Sequence, residues 1–246
     1  MKARLWWITG GGSGIGRALA QLVAGTGERV IVSGRRLDAL QETASNSPNI
    51  IPCVIDVTDP EGVAASLRDV EAKYGPISVA ILSAAQYQPM DIADFDCGHF
   101  RQLITTNVIG VANCLDPLFK LMRARGAGQI AVIASVAGYR GLPKATAYGA
   151  SKAALINMFE SLKPSADAAG IKLQVINPGF VETPMTKGNA FHMPFLIKAP
   201  EAARRIRRGL DSHGFEIAFP WPFVMLLKIG RMLPHWLYFA ITRRMT

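Results

Sequence analysis

Seven short runs rich in β-branched and other apolar residues punctuate the chain, and a helix-length segment follows each of the first six. The runs are RLWWIT, RVIVS, NIIPCVI, ISVAILS, QIAVIAS, KLQVIN and FEIAF. The segments between them cover 14–26, 37–46, 59–74, about 97–125, about 145–169 and about 200–212. Strands that are apolar on both faces need cover on both. A strand–helix–strand alternation supplies that cover as a parallel sheet with crossover helices on either side. Local chemistry marks the joints: Asp59-Pro60 places a capping side chain before a proline at a first helical position, and Gly75-Pro76 stops the same helix. No Pro/Ser linker, repeat or low-complexity stretch divides the chain, so the expectation is a single α/β domain.

With 246 residues, 50% of them apolar, the chain can bury a sizeable core. Its start, MKARLWWITGGG, carries too short an apolar run for a signal-peptide core or a membrane span, which predicts a cytoplasmic protein. Cys53, Cys97 and Cys114 are odd in number and widely spaced, indicating neither a disulfide framework nor a zinc site. His99 and His192 lack paired ligand spacing, so no metal is expected. The net charge of +9 gathers in EAARRIRRGL and the last stretch, without the zinc-finger, helix-turn-helix or aromatic-interleaved patterns that read bases. Nucleic acid is therefore not an expected partner.

Five of the seven residues from Gly10 to Gly16 are glycine, directly after the first predicted strand and at the start of the first predicted helix. Backbone can reach a pyrophosphate only where Cβ atoms are missing, and the helix N-terminus attracts the anion. Gly10, Gly14 and Gly16 meet these needs. A nucleoside-triphosphatase loop would end in Gly-Lys-Ser/Thr, and GIGRAL does not. At the end of the second run stand Gly34 and Arg35, where a dinucleotide without a 2′-phosphate usually meets an acidic side chain. Asp38 lies a few residues too far on, inside the next helix. Arg35, with Arg36 and the Ser13 hydroxyl, can instead bind a 2′-phosphate, which favours NADP(H) over NAD(H).

Tyr148 and Lys152 stand four residues apart at the start of a predicted helix, so they project from one face. A phenol titrates near ~10, and a neighbouring ammonium lowers that value by stabilising the phenolate. Tyr148 is thus a candidate general acid/base. Ser135 follows the fifth strand at its C-terminal end, where it can donate to a carbonyl oxygen beside the phenol.

TGGGSGIG at 9–16, Asn107 in TTNVIG, Ser135 in IASVAG, YGASK at 148–152 and NPGFVET at 177–183 together resemble the short-chain dehydrogenase/reductase family, in its order and usual length. The resemblance implies a Rossmann-type, doubly wound, seven-stranded parallel sheet with helices on both faces. It also implies hydride transfer between a nicotinamide and a carbonyl or alcohol carbon. Tyr148 becomes the proton donor or acceptor and Ser135 the substrate-oxygen anchor. Lys152 lowers the tyrosine pKa and holds the nicotinamide ribose, and Asn107 holds a lysine-linked water. Gly10, Ser13, Gly14, Ile15 and Gly16 match the pyrophosphate turn. Asp56 and Val57 match the adenine contact, Ala84 the ribose side, and Pro178, Gly179, Val181 and Thr183 the loop at the nicotinamide end. Asn107 and Asp56 also have simpler readings, as a backbone-bonded helix residue and a turn former. One departure stands out: Leu82-Ser83-Ala84-Ala85 replaces the usual Asn-Asn-Ala-Gly, leaving Ser83 to brace the strands with a shorter reach and adding the Ala85 methyl beside the cofactor.

These residues make up a catalytic domain over 1–219, with a Met- and Phe-rich flap at about 184–198 that argues for an apolar ketone, aldehyde or secondary alcohol. The resemblance adds a homo-oligomer, dimer or tetramer. A rival reading is a catalytically silent NADP(H)-binding sensor or scaffold; a dehydratase or epimerase would commonly carry a large extra substrate domain. From 220 to 246 an apolar, basic tail exceeds what the fold requires. It can cover the substrate cleft, pack against a second subunit or lie on the inner membrane face, but Lys228, Arg231 and Pro234 prevent a single spanning helix.

Overall fold

In a computed structural model of the chain, describing residues 4–188 and 193–243, the seven runs form one sheet. Strands β1 (Leu5–Thr9), β2 (Arg29–Gly34), β3 (Ile50–Val54), β4 (Ile77–Leu82), β5 (Gly128–Ile133) and β6 (Ile171–Pro178) are joined by the late strand β9 (Glu216–Phe219). Every pairing is parallel, in the order β3-β2-β1-β4-β5-β6-β9. A two-residue ladder between β7 (Val181–Glu182) and β8 (Ile197–Lys198) stands apart and closes the base of the flap. His192 and the flap residues 189–192 lie outside the described residues.

Consecutive residues of a strand point to opposite faces, and Trp6 and Trp7 are both fully buried in β1. This sheet therefore has a core on each side. On the Trp7 face lie α3 (Pro60–Tyr74), α5 (Gly110–Arg125) and α6 (Thr146–Ala168). On the Trp6 face lie α1 (Gly14–Ala24), α2 (Leu37–Ala44) and α7 (Ala199–Asp211). The predicted start and stop of α3 are in place: the Asp59 carboxylate accepts from Gly62 N at 3.0 Å, and Gly75 follows with φ 93°. The predicted helix over 97–125 is continuous but not uniform. It runs as α4 (Cys97–Ile104), a wide π turn over Thr105–Ile109, and α5. Such widened turns recur at functional sites, and this one carries Asn107.

The strand order reverses between β1 and β4, so the loops leaving their C-terminal ends diverge and open a crevice. The glycine turn leaves β1 there, and Ser83–Ala85 leave β4. Two short helices, α8 (Trp221–Met232) and α9 (His235–Thr242), complete the chain beside β9 and the loop after β5.

Candidate active site

The crevice holds three cavities along the strand ends. The first, of about 240 Å³, reaches from Gly10, Gly12 and Ser13 to Arg35, Arg36, Asp56, Val57 and Ala84. A second, of about 170 Å³, runs from Ser13, Gly14 and Ile15 to Ser135, Tyr148, Lys152, Pro178, Gly179, Val181 and Thr183. Gly10, Ser13 and Ala85 border both, so the two form one groove. The third, about 390 Å³, is walled mainly by apolar side chains.

Where the two cavities meet, the glycine turn is built for close approach. Gly10 has φ 66°, and a Cβ on Gly16 would stand 2.5 Å from the Gly10 carbonyl oxygen. Gly16 itself borders neither cavity, so its part is to let α1 lie against the turn. Two residues that spacing alone did not single out hold the turn from behind. Arg17, paired with Glu42, donates from Nη2 to the Gly12 carbonyl at 2.6 Å, and Thr43 Oγ1 donates to the Gly11 carbonyl at 3.0 Å. Ser13 precedes α1 without a side-chain capping bond, and the first turn of α1 has no acid. Its leading N–H groups therefore favour an anion.

At the far end, Arg35 and Arg36 are exposed, and their guanidinium groups make no hydrogen bond or ion pair among the described residues. Asp38 is also exposed and borders the outer side of the turn rather than this groove. Asp56 lines the cavity, and its Oδ1 closes a turn by accepting from Thr58 N at 2.9 Å and Thr58 Oγ1 at 2.8 Å. Burial pulls its pKa up, but those two bonds and the Arg35 charge outweigh burial and leave it below the ordinary carboxylate value.

Between the groove and the apolar cavity stand Ser135 and Tyr148, which line both. Ser135 leaves β5 and caps a short turn, its Oγ accepting from Ala137 N at 3.1 Å and donating to the Pro178 carbonyl at 3.4 Å. Tyr148 rises from the first turn of α6, with the edge of Tyr87 against it at 5.0 Å between ring centroids. One turn later Lys152 is 2% exposed, donates from Nζ to the Ile133 carbonyl at 2.8 Å and lies 5.4 Å from the Tyr148 ring centroid.

Lys152 was expected to pull the phenol down, and in the chain alone burial acts the other way. Desolvation pushes Tyr148 up to about 12, against a hydrogen bond with Ser135 that favours the phenolate, and lowers Lys152 to about 7. The shared cause is that the enclosed site disfavours either charged form.

Asn107 is fully buried, and both polar atoms of its amide are hydrogen-bonded. Nδ2 donates to the Gln86 carbonyl at 2.9 Å and to Ser151 Oγ at 3.1 Å, and Oδ1 accepts from Gln86 N at 2.7 Å. The side chain thus ties the loop after β4 to α6. The strand brace expected of Ser83 comes from a different residue: the buried Thr9 hydroxyl accepts from Ser83 N at 2.9 Å and from Ala84 N at 3.1 Å. Thr9 ends β1, the neighbour of β4 in the sheet, so its hydroxyl meets the first two N–H groups after β4.

The apolar cavity is bounded by Val136, Leu142, Pro143, Phe180 and the flap residues Met185 and Thr186, with Lys144 at its edge. Phe223 of α8 completes the wall, stacked on Phe180 at 5.5 Å, so the tail contributes to the cleft. Among the described residues no cluster of three or more His, Cys, Asp or Glu could hold a metal; His99 is exposed beside Asp96.

Comparison with known proteins agrees with this architecture. A family model described as short chain dehydrogenase matches residues 5–192. An uncharacterized oxidoreductase of Myxococcus xanthus is 32% identical over 249 residues, covering 100% of this chain and 98% of its own. Among solved structures, a short-chain dehydrogenase from Streptomyces avermitilis superposes with a TM-score of 0.84 at 28% identity, over 93% of this chain and 92% of that one. An actinorhodin polyketide ketoreductase solved with NADPH shares the fold, with a TM-score of 0.79 at 23% identity over 88% of this chain and 95% of that one.

Proposed function

The chain belongs to the short-chain dehydrogenase family, an oxidoreductase family, and from that premise we propose that it reduces apolar ketones or aldehydes, or oxidises the matching secondary alcohols, with NADP(H). One observation carries the reading. Ser135 and Tyr148 border both the groove that starts at the glycine turn and the apolar cavity, so a carbonyl entering from one side meets them beside whatever fills the other.

A bound nicotinamide would supply the hydride. Ser135 Oγ donates to the carbonyl oxygen and fixes its direction. Tyr148 Oη gives its proton to that oxygen as negative charge develops. A phenol pushed up to about 12 stays protonated at neutral pH, the form a reduction needs, and yields to an alkoxide because an alkoxide is the stronger base. Lys152, when charged, stabilises the phenolate left behind and holds the ribose. Asn107 is a positioning residue, keeping α6 and the Gln86 loop in register. The open N-terminus of α1 takes the pyrophosphate, Asp56 and Val57 the adenine, and Arg35 and Arg36 the 2′-phosphate. The family resemblance extends the proposal to a cytoplasmic homo-oligomer.

NADPH oxidation in the presence of apolar ketones and aldehydes tests the reaction, and the two arginines test the cofactor. Replacing Arg35 and Arg36 together by Ala is expected to raise the KM for NADPH about tenfold or more, the scale of lost charge-assisted hydrogen bonds, and to leave the KM for NADH unchanged. An equal change for both cofactors would remove the 2′-phosphate role.

A further inference from the structure

Sixteen large apolar side chains are exposed among the described residues, and eight of them fall between Trp221 and Ile241. On α8 they take one side: Trp221, Met225, Ile229 and Met232 follow helical spacing, with Leu226 beside them, while Phe223 and Val224 turn inward. On α9, Trp236 and Phe239 face out, and Tyr238 and Thr242 are buried. This surface is anchored rather than loose. Arg140 Nη1 donates to the Gly230 and Leu233 carbonyls at 2.7 Å each, its guanidinium lies 3.9 Å from the Tyr238 ring centroid, and Tyr238 Oη donates to the Gly141 carbonyl at 2.6 Å.

The charged side chains that α8 and α9 carry are basic: Lys228, which pairs with Glu216 of β9, and Arg231, with Arg243 directly after α9, and no acidic residue follows Glu216 in the sequence. Two copies meeting through the same patch would bring like charges together, which opposes a symmetric self-interface. A protein surface with tryptophans at 70% and 73% exposure, aliphatic side chains between them and only basic charges matches the chemistry of a membrane interface. No helix among the described residues is long and apolar enough to cross a membrane, so the geometry calls for lying in the interface.

We propose that the outer face of α8 and α9 docks on an anionic lipid membrane, with its apolar side chains among the acyl chains and its arginines among the headgroups. Phe223 lies two residues from the exposed Trp221 and walls the apolar cavity, so docking sets that cavity beside the lipid. Delivery of an apolar substrate from the bilayer rests on the oxidoreductase reading; the docking itself does not.

Full-length protein is sedimented with vesicles of phosphatidylcholine alone and of phosphatidylcholine with phosphatidylglycerol. Binding is expected to the second kind, to weaken as salt rises, and to fall about tenfold or more when Leu226 and Ile229 are both replaced by Gln. Both side chains are exposed, and an unchanged melting temperature and NADPH affinity check that the variant is folded. Absence of vesicle binding, equal binding by the variant, or a loss of oligomer mass in the variant without lipid would overturn the proposal, the last by assigning the face to a second copy. Vesicle binding by a protein that oxidises no NADPH would leave docking standing and remove the enzymatic reading.

Discussion

Tyr148→Phe is expected to lower turnover by about 10² or more, the usual contribution of a positioned general acid, while NADPH affinity and melting temperature stay close to wild type. The ring, with its contacts to Tyr87 and its place between the two cavities, is retained. Only the hydroxyl is lost, and with it the proton for the carbonyl oxygen. Steady-state rates and a cofactor titration on the same preparation make the check. Full turnover in the variant would take Tyr148 out of the mechanism.

Lys152→Met is expected to lower turnover as strongly and to make the folded protein more stable at neutral pH. Burial lowers the Lys152 ammonium to about 7 in the folded chain, while an unfolded chain keeps it near ~10.4. Between those values the unfolded state binds more protons, so wild-type stability rises as pH rises through this window and is lowest below its lower end. The methionine variant lacks that slope. At neutral pH its gain is on the order of 2 kcal/mol, once the lost bond to the Ile133 carbonyl is set against the relieved burial of charge. Thermal unfolding from neutral to alkaline pH decides the matter. A variant that melts lower than wild type would make Lys152 a structural residue.

The sheet was legible because its strands are buried on both faces, and runs such as LWWIT and VIVS carry that condition in their composition. Asp59-Pro60 and Gly75 marked α3 through capping chemistry that acts within a few residues. The π turn at Thr105–Ile109 left no such mark. No glycine or proline marks it, and the widening coincides with bonds from Asn107 to Gln86 and Ser151, distant in sequence. Ser135, Tyr148 and Lys152 could be singled out because their chemistry is unusual in combination. Thr9 and Arg17 could not: a threonine ending a strand and an arginine in a first helical turn are commonplace until the fold brings Ser83 and Gly12 to them. The direction of the Tyr148 and Lys152 shifts was hidden for a related reason. Helical spacing shows that an ammonium neighbours a phenol, but the extent of burial around both is a property of the packed structure. Phe223 in the cavity wall likewise depends on where α8 comes to rest after β9.

The central claim is that a hydride passes from nicotinamide to a carbonyl carbon at the boundary marked by Ser135 and Tyr148. Its most direct test is to incubate wild-type protein with apolar ketones and NADPH deuterated at both C4 positions, and to weigh the alcohol formed. The account predicts one deuterium on the carbinol carbon, and none with Tyr148→Phe beyond a residual rate about 10² lower. An alcohol without the label, or no alcohol from any ketone that binds the cavity, would contradict it.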